Sequence, residues 1–297
     1  MISVGKTALV SVLLAAGLFA SIAVAGLLLV RPVRVAIGDP PPALAAQPVL
    51  MTSQSGTMLH GWMAEGRPGG GVVVLMHGIR ANRLAMVRRA LVLHEHGFGV
   101  LLFDFQAHGE SPGQHITLGH LESLDASAAV AFAREHHPGE KIGAIGLSLG
   151  GAASLLGSQP LHVDALVLES VYSDIQPALT NRLRVRLGRI AGPVVTPVAA
   201  PLLEMLMPPI LRVRLEELRP VDRIGAVVAP VLVASGTIDP YTPIAEAETL
   251  FAHAPEPKQF WPVAGAGHVD LERYDRAAYW DHVLPFLTGH LQGAGTG

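Results

Sequence analysis

Ser148 stands at the centre of Gly146-Leu147-Ser148-Leu149-Gly150, a G-x-S-x-G pattern placed where an apolar, β-rich run ends and a helical pattern begins. Flanking glycines permit a sharp strand-to-helix turn that exposes the serine oxygen, and the following helix turns the positive end of its dipole toward developing negative charge. A serine hydroxyl is a poor nucleophile until a base takes its proton, and that base needs a third group to fix its tautomer. Two downstream loops carry these residue types: Gly236-Thr237-Ile238-Asp239-Pro240 and Gly265-Ala266-Gly267-His268-Val269-Asp270. The chain order Ser148, Asp239, His268 predicts nucleophile, orienting acid and general base. Glu169, at the end of another apolar run, is a rival partner for His268, whereas Asp270 reads as a local cap.

Acyl transfer through such a serine also needs donors for a tetrahedral oxyanion. The backbone N–H of Leu149, directly after the nucleophile, supplies one. The loop His77-Gly78-Ile79-Arg80 supplies the second, assigned to the backbone of Ile79 with Arg80 as the neighbouring alternative, because this His-Gly copy directly follows a buried strand pattern. The other histidines carry less meaning: His94, His96, His136 and His137 lie near helix ends, and no H-E-x-x-H spacing occurs. The predicted site therefore calls for no metal and no organic cofactor. The chain has no cysteine, which excludes a thiol nucleophile, a disulfide framework and a Cys-ligated zinc site, and leaves the redox compartment open. A net charge of -3 without a long basic block gives no reason to expect a nucleic-acid partner.

The elements that must hold these residues follow from hydrophobic patterning. Runs at 72–76, 100–103, 142–145, 165–168, 231–234 and 259–263 read as strands buried on both faces, preceded by an antiparallel hairpin at 49–52 and 57–64. Helical patterns at 82–96, 118–136, 149–158, 243–253 and 270–288 alternate with them. The expected fold is α/β, with about eight mainly parallel strands and helices on both faces. Ser148, Asp239 and His268 all fall at carboxyl ends of strands, where such sheets bind ligands. An excursion at about 172–220, Pro-rich and with a formal charge of +3, interrupts the alternation and reads as a cap. Its apolar part at 193–211 suits packing onto the core, contact with an acyl chain, or contact with a bilayer.

Upstream, residues 7–30 run for 24 positions without a charged, Asn, Gln or His side chain, enough to span a bilayer as a helix. A cleaved signal peptide competes with a retained anchor, since Lys6 precedes the run and Ala23-Val24-Ala25 resembles a cleavage site; the length of the run favours the anchor. The resulting division is 1–34 as anchor or signal-anchor, 35–48 as a Pro-rich linker, 49–291 as the catalytic domain and 292–297 as a flexible tail. An N-in orientation would place the domain outside the cytoplasm, with Arg31 and Arg34 weighing against it.

Taken together these motifs resemble the α/β-hydrolase superfamily, and with the anchor the chain looks like the membrane-anchored serine hydrolases related to acylglycerol lipases and protein depalmitoylases. The resemblance spans 49–291 and is carried by the His77-Gly78 loop, Phe103-Asp104-Phe105-Gln106-Ala107-His108-Gly109-Glu110-Ser111, the serine turn, and the loops at 236–243 and 265–268. It implies hydrolysis of an ester or thioester of a small-molecule or lipid-like acyl substrate, and makes Asp104 a structural brace. Many relatives carry arginine where Gln106 stands, which puts the family's local ion pair in doubt. A serine aminopeptidase-like activity and a catalytically silent binding module are the alternatives. Oligomeric state is not assigned by the sequence.

Overall fold

The computed structural model describes residues 4–268 and 270–292; of the tail expected at 292–297, residues 293–297 lie outside them. The chain begins with α1 (Val4–Val30), followed by a two-residue strand, β1 (Val33–Arg34). A hairpin of β2 (Gln47–Thr52) and β3 (Met58–Ala64) leads into β4 (Val72–Met76), α2 (Val87–Glu95), β5 (Gly99–Phe103) and the short β6 (His108–Gly109). Next come α3 (His120–His136), β7 (Ile142–Leu147), α4 (Leu149–Leu155) and β8 (Ala165–Glu169). The long helical run α5 (Ile175–Leu211) precedes β9 (Val231–Gly236), α6 (Ile244–His253), β10 (Lys258–Val263), α7 (Leu271–Tyr274) and α8 (Arg276–Leu291).

Eight strands form one sheet in the order β10-β9-β8-β7-β4-β5-β3-β2, and β3 alone runs against its neighbours. The two-fold alternation of side chains along β4 shows how both faces are filled. Val72, Val74 and Met76 enter one core with residues of α3, α4 and α5, while Val73 and Leu75 enter the other with α2 and α8. All five β4 residues are buried, so this strand cannot tolerate the polar alternation of a one-sided sheet. Truncating Leu75 to alanine would cost about 2–5 kcal/mol.

The predicted elements recur with local differences. The helix expected at 270–288 is split, because Asp270 caps α7 through Glu272 N–H and Arg273 N–H, and Asp275 caps α8 through Ala278 N–H. The helix expected from 118 starts at His120, after Gly119 in a left-handed conformation (φ 116°). The excursion at 172–220 contains a helical hairpin. Gly188 breaks the run with φ 75° and ψ -176°, and the second arm folds back so that Gln176 Nε2 donates to Glu204 Oε2 across 3.2 Å.

The stretch expected as an extended spacer at 35–48 lies on the domain instead. Leu44 is fully buried, the N–H groups of Ile37 and Gly38 donate to Glu110 Oε1, and Val33–Arg34 pairs in parallel with His108–Gly109. Proline spacing indicates an extended backbone but not whether that backbone finds partners, and here a carboxylate and a strand edge 72–75 residues downstream supply them. α1 packs against α5, and its buried residues Ile22, Gly26 and Val30 share one helical face, with Gly26 set against Met207 and Ile210. A Cβ at Gly26 would lie 3.2 Å from Met207 Sδ and Ile210 Cδ1, so glycine sets the distance between these helices. Elsewhere along α1, Leu9, Val12, Leu13, Phe19, Val24, Leu27 and Leu28 are exposed. α5 is itself long and apolar enough, by length and composition, to cross a membrane.

Candidate active site

Ser148 lies between the last residue of β7 and the first of α4, with φ 50° and ψ -106°. A non-glycine residue in this conformation costs of order 1–3 kcal/mol and persists only where its surroundings enforce it. Here the Ser148 N–H donates to Glu169 O at 2.8 Å, and its carbonyl accepts from Ala152 N–H at 3.0 Å. The flanking glycines are needed for closeness: a Cβ at Gly146 would come within 2.6 Å of Gly151 backbone, and one at Gly150 within 2.5 Å of Met76 O.

The loop after β4 is held by two buried imidazoles. His77 Nδ1 stands 2.8 Å from Gly78 O and so carries the proton, leaving Nε2 to accept from Phe105 N–H at 3.2 Å. His108 repeats the arrangement, with Nδ1 facing Gln106 O at 2.9 Å and Nε2 accepting from Arg80 N–H at 3.1 Å. Burial, with the neighbouring His108, drives His77 down to about 3 despite the Gly78 carbonyl, and burial also lowers His108. Between these two anchors sits Ile79. Among the described residues, neither Ile79 N–H nor Leu149 N–H makes a hydrogen bond to the protein. Both residues line one narrow recess with Ser148, walled further by Leu29, Leu118, Tyr172, Ile175, Leu179 and Arg182, whose free volume is about 10 Å³ in this conformation.

Asp239 and His268 follow adjacent parallel strands, β9 and β10, and Gly236 lets their loops meet, since a Cβ there would fall 2.3 Å from Ala266 O. His268 Nδ1 lies 2.7 Å from Asp239 Oδ2. The other Asp239 oxygen accepts from Tyr241 N–H at 2.8 Å and Thr242 N–H at 3.0 Å, and the Thr242 hydroxyl donates to Oδ2 at 2.7 Å. Burial would raise the Asp239 carboxyl, but His268 and the Thr242 donors outweigh it and hold the group below its ordinary value. Among the described residues, His268 makes no hydrogen bond to Ser148 in this conformation; its side-chain partners are Asp239 and Thr242.

Other sequence expectations resolve by contact. Glu169 is engaged away from His268, receiving Arg89 Nη2 at 2.7 Å and the Tyr279 hydroxyl at 2.5 Å. Asp270 caps α7 and also meets Arg89 at 2.7 Å. Asp104 receives Arg83 N–H at 2.7 Å, the Arg83 guanidinium and Glu110 N–H, the set of contacts a brace requires. Gln106 Nε2 donates to His115 O and to buried Glu122, so a neutral side chain occupies that place. Sequence reasoning missed Thr242, Tyr172 and Arg182. The short Asp239-Pro240-Tyr241-Thr242 spacing was a usable signal for Thr242, because a hydroxyl three residues after an aspartate can fold back onto it.

The family described as serine aminopeptidase, S33, matches residues 68–210, a span that includes Ile79, Ser148 and Leu149 and stops short of Asp239 and His268. The uncharacterized protein Rv2307c of Mycobacterium tuberculosis is 29% identical over 246 residues, covering 82% of this chain and 80% of its own. YfhR of Salmonella typhi is 28% identical over 272 residues, covering 84% and 83%. Among solved structures, the Pyrococcus furiosus esterase Pf2001 is similar with a TM-score of 0.71 at 23% identity, covering 89% of this chain and 99% of that one.

Proposed function

We propose, from the α/β-hydrolase fold of the chain and its likeness to the S33 family over residues 68–210, that it is a serine hydrolase that cleaves a carboxylic ester or thioester through an acyl-enzyme. The observation that carries this reading is the strained Ser148 in one recess with two unbonded N–H groups, Ile79 and Leu149. In the proposed mechanism Ser148 Oγ attacks the acyl carbon as His268 Nε2 takes its proton. Asp239 holds the Nδ1–H and stabilises the imidazolium, and the N–H groups of Ile79 and Leu149 receive the oxyanion. Collapse releases an alcohol or thiol carrying the proton from His268; water then repeats the sequence on the acyl-enzyme. The Ser148–His268 hydrogen bond forms in the substrate complex, as catalytic contacts commonly do.

The recess walls favour a lipophilic acyl group, since Leu29, Leu118, Ile175 and Leu179 offer no hydrogen-bonding side chain. α1 acts in this reading as a retained membrane anchor, with the domain outside the cytoplasm. The family description makes aminopeptidase activity the second reading. Against it, the one charged residue among the described residues lining the recess is Arg182, which repels the ammonium of a peptide amino terminus.

Labelling with a fluorophosphonate probe tests the reading. The wild-type chain is expected to label, and Ser148→Ala is not. A wild type inert under conditions that label related hydrolases would overturn the activated serine. Turnover of acyl esters of rising chain length tests the lipophilic preference, which confinement to acetyl esters would refute.

A further inference from the structure

Resting on the serine hydrolase reading, Arg182 narrows the kind of substrate. It projects from the first arm of α5 into the recess that holds Ser148, and it is partly buried. Among the described residues, its one side-chain hydrogen bond goes to Ala178 O, one turn back on its own helix, at 3.3 Å. Among the described residues no carboxylate lies within ion-pairing distance of it. The two carboxylates nearest in influence are otherwise engaged: Glu246 receives Ser173 N–H and Asn181 Nδ2, and Asp239 receives His268 and Thr242.

This is unlike the arginines that serve the fold. Arg83 pairs with Asp104 and Glu110, Arg89 with Glu169 and Asp270, and Arg134 with Asp164. A guanidinium held in an apolar recess without a counter-ion is expensive unless a ligand supplies one. Its planar fork matches the oxygens of a carboxylate or a phosphate, and most of its donors are uncommitted. Arg184, Arg186 and Arg189, on the same hairpin and also without ion-pair partners among the described residues, extend the positive field outward.

We propose that Arg182 is a specificity-determining residue that binds an anionic group, carboxylate or phosphate, on an otherwise lipophilic substrate. The apolar wall takes the chain of such an amphiphile, and Arg182 takes its charged end. A neutral acyl ester of equal size leaves the guanidinium unpaired and binds less well.

Equilibrium binding to the full-length Ser148→Ala protein tests this without relying on turnover. Octyl phosphate, octanoate and octanol, each kept below self-association, are titrated by calorimetry. At least one of the two anions is expected to bind tenfold or more tightly than octanol, and the one that does so identifies the headgroup. Adding Arg182→Gln is expected to erase that difference, whereas Arg182→Lys keeps part of it. Octanol binding as tightly as both anions, or an anion preference that survives Arg182→Gln, would overturn the proposal. Failure of the hydrolase reading appears separately, as a wild-type chain that does not react with the fluorophosphonate.

Discussion

Arg80 Nη1 donates to the carbonyl of Leu28 across 3.0 Å, joining the last turn of α1 to the residue next to Ile79. Around this bond the join is continued by Ile116 N–H to Val30 O at 2.7 Å, Val33 N–H to Ala107 O at 2.8 Å, and the two donors given to Glu110. Leu29 meanwhile contributes to the recess. The amino-terminal segment is thus a wall of the site as well as a leader to it.

Deleting residues 1–38 is therefore expected to lower thermal stability and reactivity together. Losing about five hydrogen bonds at roughly 0.5–1.5 kcal/mol each corresponds to a fall of about 5–15 °C in Tm. Deleting only residues 1–18 should leave both nearly unchanged. Differential scanning calorimetry beside fluorophosphonate labelling rates separates the two truncations, and equal behaviour would refute the docking role.

Asp239→Asn is expected to keep the fold and reduce kcat/KM by about 10³–10⁴, because the amide cannot stabilise the imidazolium and favours the wrong tautomer. Thr242→Val should give a milder loss of about tenfold, since it removes one of several donors to Asp239. Ester kinetics with both variants check the ranking; a larger loss in Thr242→Val would place Thr242 nearer the reaction than proposed.

His77 makes stability depend on acid. Its ordinary value of 6.5 falls to about 3 in the fold, so the unfolded chain binds a proton that the folded chain refuses. The stability conferred by neutral His77 is complete above about pH 6.5 and is lost progressively as pH falls toward 3. Urea midpoints measured across this window should drop more steeply in the wild type than in His77→Gln. Parallel slopes would show that His77 contributes nothing to the acid limb.

Ser148→Gly should be inert and more stable than Ser148→Ala. The φ and ψ of residue 148 mirror a region open to ordinary residues, and glycine alone occupies it without strain. After glycine's own entropic cost, a gain of about 1–2 kcal/mol remains, or about 2–4 °C in Tm. Calorimetry of the two variants reads it directly.

The sheet and the three loops were legible because their signals are local. Apolar runs such as 72–76 fix buried strands, and Gly146, Gly236 and Gly265 mark turns at their carboxyl ends. The docking of β1 on β6 was not legible, since nothing in Val33–Arg34 specifies pairing with His108–Gly109. The reversal at Gly188 was hidden by its setting, because Gly192 and a series of prolines follow in the same Pro-rich excursion and nothing local singles Gly188 out as the turn. Arg182 read as one charge in a basic cap, and only the packing of α5 over Ser148 distinguished it from its neighbours.

The docking of β1 also sets a schedule for synthesis. Val33 through Gly38 leave the ribosome before the edge of β6 and Glu110, which lie 72–75 residues later, exist to receive them. At about 5–20 residues per second, that is a wait of about 4–15 s. During it the amino-terminal helix is free of the domain and available to targeting or insertion machinery. The segment is committed to its place beside Ser148 only after that interval closes.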